Sequence, residues 1–129
     1  AQWVHNLINR ELERGVASER IIVAGFSQGG AVSFEAALTY EKPLAGIMAL
    51  STYFATAHTI EINPLHSSLP ILICHGALDP VVPESMGKQS LTTLQNLKFE
   101  PEYKSYPMEH AVCPQEISDI GAWITRILA

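Results

Sequence analysis

The sequence is poor in basic residues and contains no long apolar run. Eight Lys and Arg stand against 13 Asp and Glu, which gives a formal charge of −5, and the basic residues form no cluster. A chain without such a cluster lacks the charge that neutralises phosphates, which argues against nucleic acid as a partner. No stretch approaches the ~18 uninterrupted apolar residues of a membrane span. No basic segment followed by an apolar one opens the chain, so no secretory signal is indicated.

Cysteine is also scarce, with only Cys74 and Cys113 among 129 residues. Their separation fits neither a disulfide framework nor a zinc site, and no His and carboxylate pair has metal-site spacing. A chain of this kind suits a reducing compartment, so we expect a cytoplasmic protein. The hydrophobic fraction of 47% against 16% charged residues predicts one globular domain over residues 1–129. The chain does not begin with methionine, which indicates a processed or truncated start.

Apolar residues along the chain alternate between two patterns. Nearly continuous apolar runs predict buried parallel strands, and apolar residues at three- and four-residue spacing predict helices between them. The predicted strands are 20–26, 44–50, 69–74 and 99–106, and the predicted helices are 2–14, 28–40, 83–97 and 114–128. The last strand alternates polar and apolar residues, which places it near a sheet edge. This order predicts a three-layer α/β fold, with helices on both faces of a parallel sheet.

Residues 25–29 read Gly-Phe-Ser-Gln-Gly and match the pattern G-x-S-x-G. The match gains weight from its context, because Ser27 falls between a predicted buried strand and a predicted helix. A tight turn there lifts the serine hydroxyl above the strand end, and glycine relieves the crowding that the turn creates. The backbone N–H of Gln28 would then face a developing oxyanion. The alternative is a plain strand–helix turn with Ser27 as a helix cap.

A serine nucleophile needs a base, and the base needs an acidic partner. Asp79 follows the third predicted strand and His110 follows the fourth, so both belong to the edge of the sheet that carries Ser27. Taken alone, Asp79 could be a turn residue before Pro80, and His110 could be a surface histidine. His75, directly after the third strand, is expected to support the loop that aims Asp79. The remaining histidines and Cys113 are expected to be packed or solvated.

Three motifs carry a resemblance to a known family. Gly-Phe-Ser-Gln-Gly-Gly at 25–30, His-Gly-x-x-Asp-Pro at 75–80, and Tyr-Pro-Met-Glu-His at 106–110 followed by Pro-Gln-Glu at 114–116 resemble acyl-protein thioesterases and carboxylesterases among the α/β-hydrolases. Leu-Ser-Thr-Tyr at 50–53 and Asp-Ile-Gly-Ala-Trp at 119–123 are similar to the bacterial carboxylesterase branch. The resemblance implies Ser27 as nucleophile, His110 as base and Asp79 as the residue that orients it. It also implies hydrolysis of small acyl esters or thioesters, with acylated proteins as a further class of substrate, and no cofactor.

The chain departs from that family in one respect. Several strands and a His-Gly loop precede the first helix in the family, and that loop supplies the second oxyanion amide. Independently of the family, the strand at 21–24 looks central, yet nothing earlier in the chain can pair with its second side. We therefore expect residues 1–129 to be the carboxyl-terminal portion of a larger α/β-hydrolase domain. A homo-oligomer formed through the uncovered edge is the other way to complete the sheet.

The long connection at 51–68 leaves the strand that follows Ser27 and is expected to border the substrate crevice. Tyr53, Phe54 and Leu65 would then bind the acyl chain, and the alternative is that they fill a small core beneath the loop. The expected activity is that of a serine esterase or thioesterase. Other α/β-hydrolase chemistry, such as peptidase or lactonase action, and a non-catalytic fragment or interaction module are the alternatives.

Overall fold

The computed structural model describes residues 2–129 as a four-stranded sheet with helices on both faces, as the sequence predicts. The helices are α1 (Gln2–Glu13), α2 (Gln28–Thr39), α3 (Glu84–Asn96) and α4 (Pro114–Leu128). The strands are β1 (Ile22–Phe26), β2 (Gly46–Leu50), β3 (Ile71–Gly76) and β4 (Glu102–Tyr106), with short 3-10 turns at Ser18–Arg20 and Pro64–His66. Over the part of the chain described, no helix is long and apolar enough to cross a lipid bilayer.

The strands lie side by side in chain order, and every pair is parallel. Phe26 is level with Leu50, Leu50 with Cys74, and Gly76 with Tyr106. The carboxyl ends of all four strands therefore lie together at one end of the sheet. Loops that leave this end are the usual place for a ligand site in an open parallel sheet.

Alternate residues of each strand serve two separate cores. Ile47 and Ile73 point to the first core, which Phe34 of α2 fills together with residues of α1 and α3. Met48 and Leu72 point to the second core, which is covered by α4 through the buried Trp123. Two-sided burial explains the nearly continuous apolar runs, because neither face of a central parallel strand meets water.

The ends of the elements differ from the predicted ones for local reasons. Strand β3 continues to Gly76 because His75 and Gly76 pair with the last two residues of β4. Strand β4 begins at Glu102 rather than Phe99, since Phe99 turns into the first core before Pro101, which has no N–H for strand pairing. Helix α1 stops at Glu13, and Gly15 follows with a φ of 95°, a conformation that glycine adopts without strain.

Strand β1 pairs only with β2 among residues 2–129, so its other side is an edge. An open cleft of about 470 Å³ runs along this edge between α1 and the start of α2. Its lining is largely apolar and includes Leu7, Ala24 and Val32, all of which are exposed, and Trp3, which is 73% exposed. Strand β1 therefore has the apolar composition of an interior strand, although it lies at the edge of the described sheet.

Candidate active site

A single residue, Ser27, separates the end of β1 from the start of α2. Its backbone has φ 55° and ψ −126°, which is strained for a residue with a side chain. The turn is possible only because the glycines on either side of it, Gly25 and Gly30, have no side chain. A Cβ on Gly25 would lie 2.3 Å from the carbonyl oxygen of Gly29, and a Cβ on Gly30 would lie 2.4 Å from Cγ2 of Thr52. The glycine pattern in the sequence thus reflects close approach of backbone segments.

Asp79 lies in the loop that follows β3, and its carboxylate is buried. Oδ1 accepts hydrogen bonds from the backbone N–H groups of Val81 and Val82, both at 2.9 Å. Burial acts to raise the pKa of Asp79, but the hydrogen bond from His110 and the two N–H donors together hold that pKa below its ordinary value. The side chain therefore remains a carboxylate at neutral pH, with Oδ2 directed at His110.

His110 follows β4 and lies between the other two side chains. Its Nδ1 is 2.7 Å from Oδ2 of Asp79, and its Nε2 is 3.0 Å from Oγ of Ser27. Because a carboxylate can only accept a hydrogen bond, Nδ1–H is the donor to Asp79, and in the tautomer with its proton on Nδ1 the ring can accept the serine hydroxyl at Nε2. The imidazole also packs against the ring of Phe26, with 4.7 Å between ring centroids. The three side chains expected from the sequence thus lie in one hydrogen-bonded series.

His75 lies beside the aspartate loop, and Gln28 begins α2. The ring of His75 is completely buried, and its Nε2–H donates to the carbonyl oxygen of Val82 at 2.7 Å. Since the N–H of Val82 binds Asp79, this contact supports the aspartate loop. Gln28 is the first residue of α2, where backbone N–H groups have no acceptor within the helix. Its N–H therefore remains the candidate oxyanion donor.

Of the three residues expected to bind the acyl chain, Tyr53 and Phe54 share one hollow, and Leu65 lies apart from them. Phe54 is buried in the first core, where its ring stacks on Phe34 with centroids 5.0 Å apart. Tyr53 is half-buried and lines a hollow of about 240 Å³ between its own loop and α3. Leu65 is exposed within the short Pro64–His66 turn.

The neighbours of Leu65 show that it lies far from Ser27. Asn63 N–H donates to the Leu38 carbonyl at 2.9 Å, and His66 Nε2–H donates to the Tyr40 carbonyl at 2.8 Å. Both acceptors belong to the end of α2, a 12-residue helix about 18 Å long that begins next to Ser27. A connection between parallel strands runs from the carboxyl end of one strand back to the amino end of the next. Only the first residues of the connection therefore border the crevice. The assignment of Leu65 to the crevice is corrected accordingly, and Phe54 is a core residue.

Sequence reasoning missed two contacts at the site. One is Phe26 on His110, and the other is Thr52, whose buried hydroxyl donates to the backbone carbonyl of Ser27. The available signal for Thr52 was its place in the Ser-Thr-Tyr segment directly after β2, where a polar residue follows an apolar run.

The parallel sheet, the one-residue turn at Ser27, and the aspartate and histidine at two later strand ends together define an α/β-hydrolase. Residues 1–128 match the family described as phospholipase/carboxylesterase. The chain belongs to this family.

Individual relatives agree with this assignment. Acyl-protein thioesterase 1 of Gibberella zeae is 36% identical over 132 residues, which cover 98% of this chain and 56% of that protein. Acyl-protein thioesterase 1 of Cryptococcus neoformans is 37% identical over 141 residues, covering 97% of this chain and 59% of that protein. The crystal structure of Arabidopsis thaliana SOBER1 superimposes with a TM-score of 0.90 at 29% identity, covering 99% of this chain and 62% of that one. The chain thus spans a little over half the length of these relatives.

Proposed function

We propose that the protein is a serine hydrolase that cleaves carboxylic esters or thioesters through an acyl-enzyme. The observation that supports this most directly is the series of hydrogen bonds from Asp79 through His110 to Ser27. Ser27 would attack the acyl carbonyl while His110 Nε2 takes the hydroxyl proton. Asp79 would hold the ring in the required tautomer and stabilise its positive charge.

The second half of the reaction would use the same groups. His110 would pass its proton to the leaving alkoxide or thiolate, and water would then attack the acyl-enzyme with His110 again as base. The Gln28 N–H would support the oxyanion in both steps. The names of the relatives, acyl-protein thioesterase among them, favour small acyl esters, thioesters and acylated proteins as substrates. The free thiols of Cys74 and Cys113 suit a reducing compartment such as the cytoplasm.

We propose further that residues 1–129 are the carboxyl-terminal part of a larger α/β-hydrolase domain. The apolar cleft along β1 and the greater length of the relatives support this. An additional strand would pair with β1, and a loop outside this chain would supply the second oxyanion amide. On this proposal the 129-residue chain by itself is an inactive or weakly active portion, since one missing oxyanion donor costs about 10²–10³ in rate.

The catalytic proposal is tested by substitution in the complete polypeptide that contains these residues. Ser27→Ala should lower kcat on the order of 10⁵-fold or more and abolish labelling by a fluorophosphonate, because the three groups act as a unit. Asp79→Asn should lower kcat about 10⁴-fold by favouring the wrong histidine tautomer. Ser118→Ala, at an exposed position of α4, is the matched control and should keep full turnover. A Ser27→Ala protein with a tenth of the original activity would identify a different nucleophile.

The domain proposal is tested on the 129-residue chain alone, by light scattering together with hydrolysis of a nitrophenyl ester. We expect self-association through the β1 edge and turnover far below that of the complete polypeptide. A monodisperse monomer with full turnover would show that the described residues need no further strand.

A further inference from the structure

Both polar backbone groups of Ser27 are bound by the last residue of β2 and by the segment directly after it. The Ser27 N–H donates to the carbonyl oxygen of Leu50 at 2.9 Å, and the Ser27 carbonyl accepts a hydrogen bond from the hydroxyl of Thr52. The same carbonyl accepts the N–H of Gly30 at 2.9 Å, which is the first turn of α2. The strained turn is therefore fixed from two elements.

Thr52 is placed for this contact by its surroundings. Thr52 is 2% exposed, and its Cβ, Cγ2 and Oγ1 lie so close to Gly30 that no Cβ would fit on that glycine. The residue before it, Ser51, has a positive φ of 49°, and its N–H donates to the Cys74 carbonyl at 2.8 Å. The backbone bend at Ser51 thus turns Thr52 toward the serine loop, which is a costly arrangement for a residue with no role there.

The peptide group that joins Ser27 to Gln28 couples this contact to the proposed oxyanion donor. The peptide is trans and planar, so its carbonyl and its N–H point in opposite directions. A hydroxyl that fixes the direction of the Ser27 carbonyl also fixes the direction of the Gln28 N–H. Rotation of this one plane would turn the N–H away from the position of the oxyanion.

We propose that Thr52 is a positioning residue that orients the Ser27–Gln28 peptide and, with it, both the nucleophile and the oxyanion donor. The inference rests on the proposed hydrolase function and deepens it. Thr52 acts through the peptide and need not touch the substrate. Its loss should therefore weaken an interaction that is made only in the transition state, and kcat should fall while KM stays constant.

Substitution of Thr52 separates its hydroxyl from its packing. In the complete polypeptide, Thr52→Val keeps the shape and removes the donor, and kcat should fall about 10- to 100-fold, because the Gly30 N–H still holds part of the peptide. Thr52→Ser keeps the donor and should retain most of the turnover. Thr59→Val is the control, since Thr59 lies in the same connection, is exposed and bonds only within its own turn. It should leave both kinetic parameters unchanged.

Thermal unfolding followed by circular dichroism identifies any variant that fails to fold. If Thr52→Val does so, Thr52→Ala and Thr52→Ser replace it as a pair that differs by one oxygen atom. Unchanged kcat in the variants without the hydroxyl, or an equal loss in Thr52→Ser, would overturn the proposal, because packing would then account for the effect. Ser27→Ala is measured in parallel. If that protein stays active, the hydrolase mechanism itself is wrong, whereas an inactive Ser27→Ala with a fully active Thr52→Val refutes only the role of Thr52.

Discussion

A single methyl group added at Gly25 should lower both the stability of the fold and the turnover of the site. The new Cβ would lie 2.3 Å from the Gly29 oxygen, 2.4 Å from the Gly29 carbonyl carbon and 2.6 Å from the Gly30 nitrogen. Ordinary contacts need about 3.5 Å, so the end of β1 and the first turn of α2 must separate by about 1 Å. These neighbours are backbone atoms and have no rotamer that would relieve the clash. Overpacking of this kind costs roughly 1–3 kcal/mol of unfolding free energy.

The same displacement bears on turnover, because Ser27 lies between the two segments that must separate. A shift of about 1 Å in a reacting group costs on the order of 10² in rate. Denaturant unfolding and ester hydrolysis of Gly25→Ala should be compared with Gly121→Ala, whose new methyl on α4 meets no atom within 4 Å. The control should gain up to about 1 kcal/mol from the better helix propensity of alanine. Equal stability and equal turnover of the two variants would refute the crowding argument.

Three further predictions concern side chains away from the hydrogen-bonded series. Phe54→Ala should cost about 3–5 kcal/mol of unfolding free energy, because the ring stacks in the first core. Leu65→Ala should change stability by no more than about 0.5 kcal/mol and leave kcat/KM unaltered, and a large loss of kcat/KM would return Leu65 to the crevice. Burial raises the pKa of Glu116, so over part of the pH range the folded chain holds a proton that the unfolded chain has released. The free energy of unfolding therefore declines as pH rises above the ordinary glutamate pKa of about 4.3. Glu116→Gln cannot ionise, so its stability relative to the parent chain should increase over that rise; urea unfolding at several pH values measures this, and a constant difference would contradict it.

The fold could be predicted because its physical causes are local. Buried parallel strands require continuous apolar runs such as residues 69–74, and a helix beside the sheet requires the spacing seen in α4. The order of the serine, aspartate and histidine predicts their meeting for a similar reason, since parallel strands bring their carboxyl ends to one edge.

The remaining features depend on where a segment goes after it leaves the sheet. Leu65 belongs to the same connection as Tyr53, but the chain has returned toward the amino ends of the strands by the time it reaches Leu65. Phe54 and Tyr53 are adjacent in sequence, and only the position of Phe34 shows which of the two enters the core. The Thr52 hydroxyl bonds to a carbonyl 25 residues earlier, a partner that no local pattern identifies.

The order of the strands in space has a consequence for synthesis of the protein. Because β1, β2, β3 and β4 pair in the order in which they are made, each unit can dock on the one before it as the chain is translated. Ser27 is then made 83 residues before His110, the base of the proposed mechanism, and Asp79 is made 31 residues before it. A serine hydroxyl without a neighbouring base is a poor nucleophile. On the proposed mechanism, Ser27 of the nascent chain would therefore stay a poor nucleophile, and its reactivity toward acyl compounds would begin only after the last strand and His110 have been added.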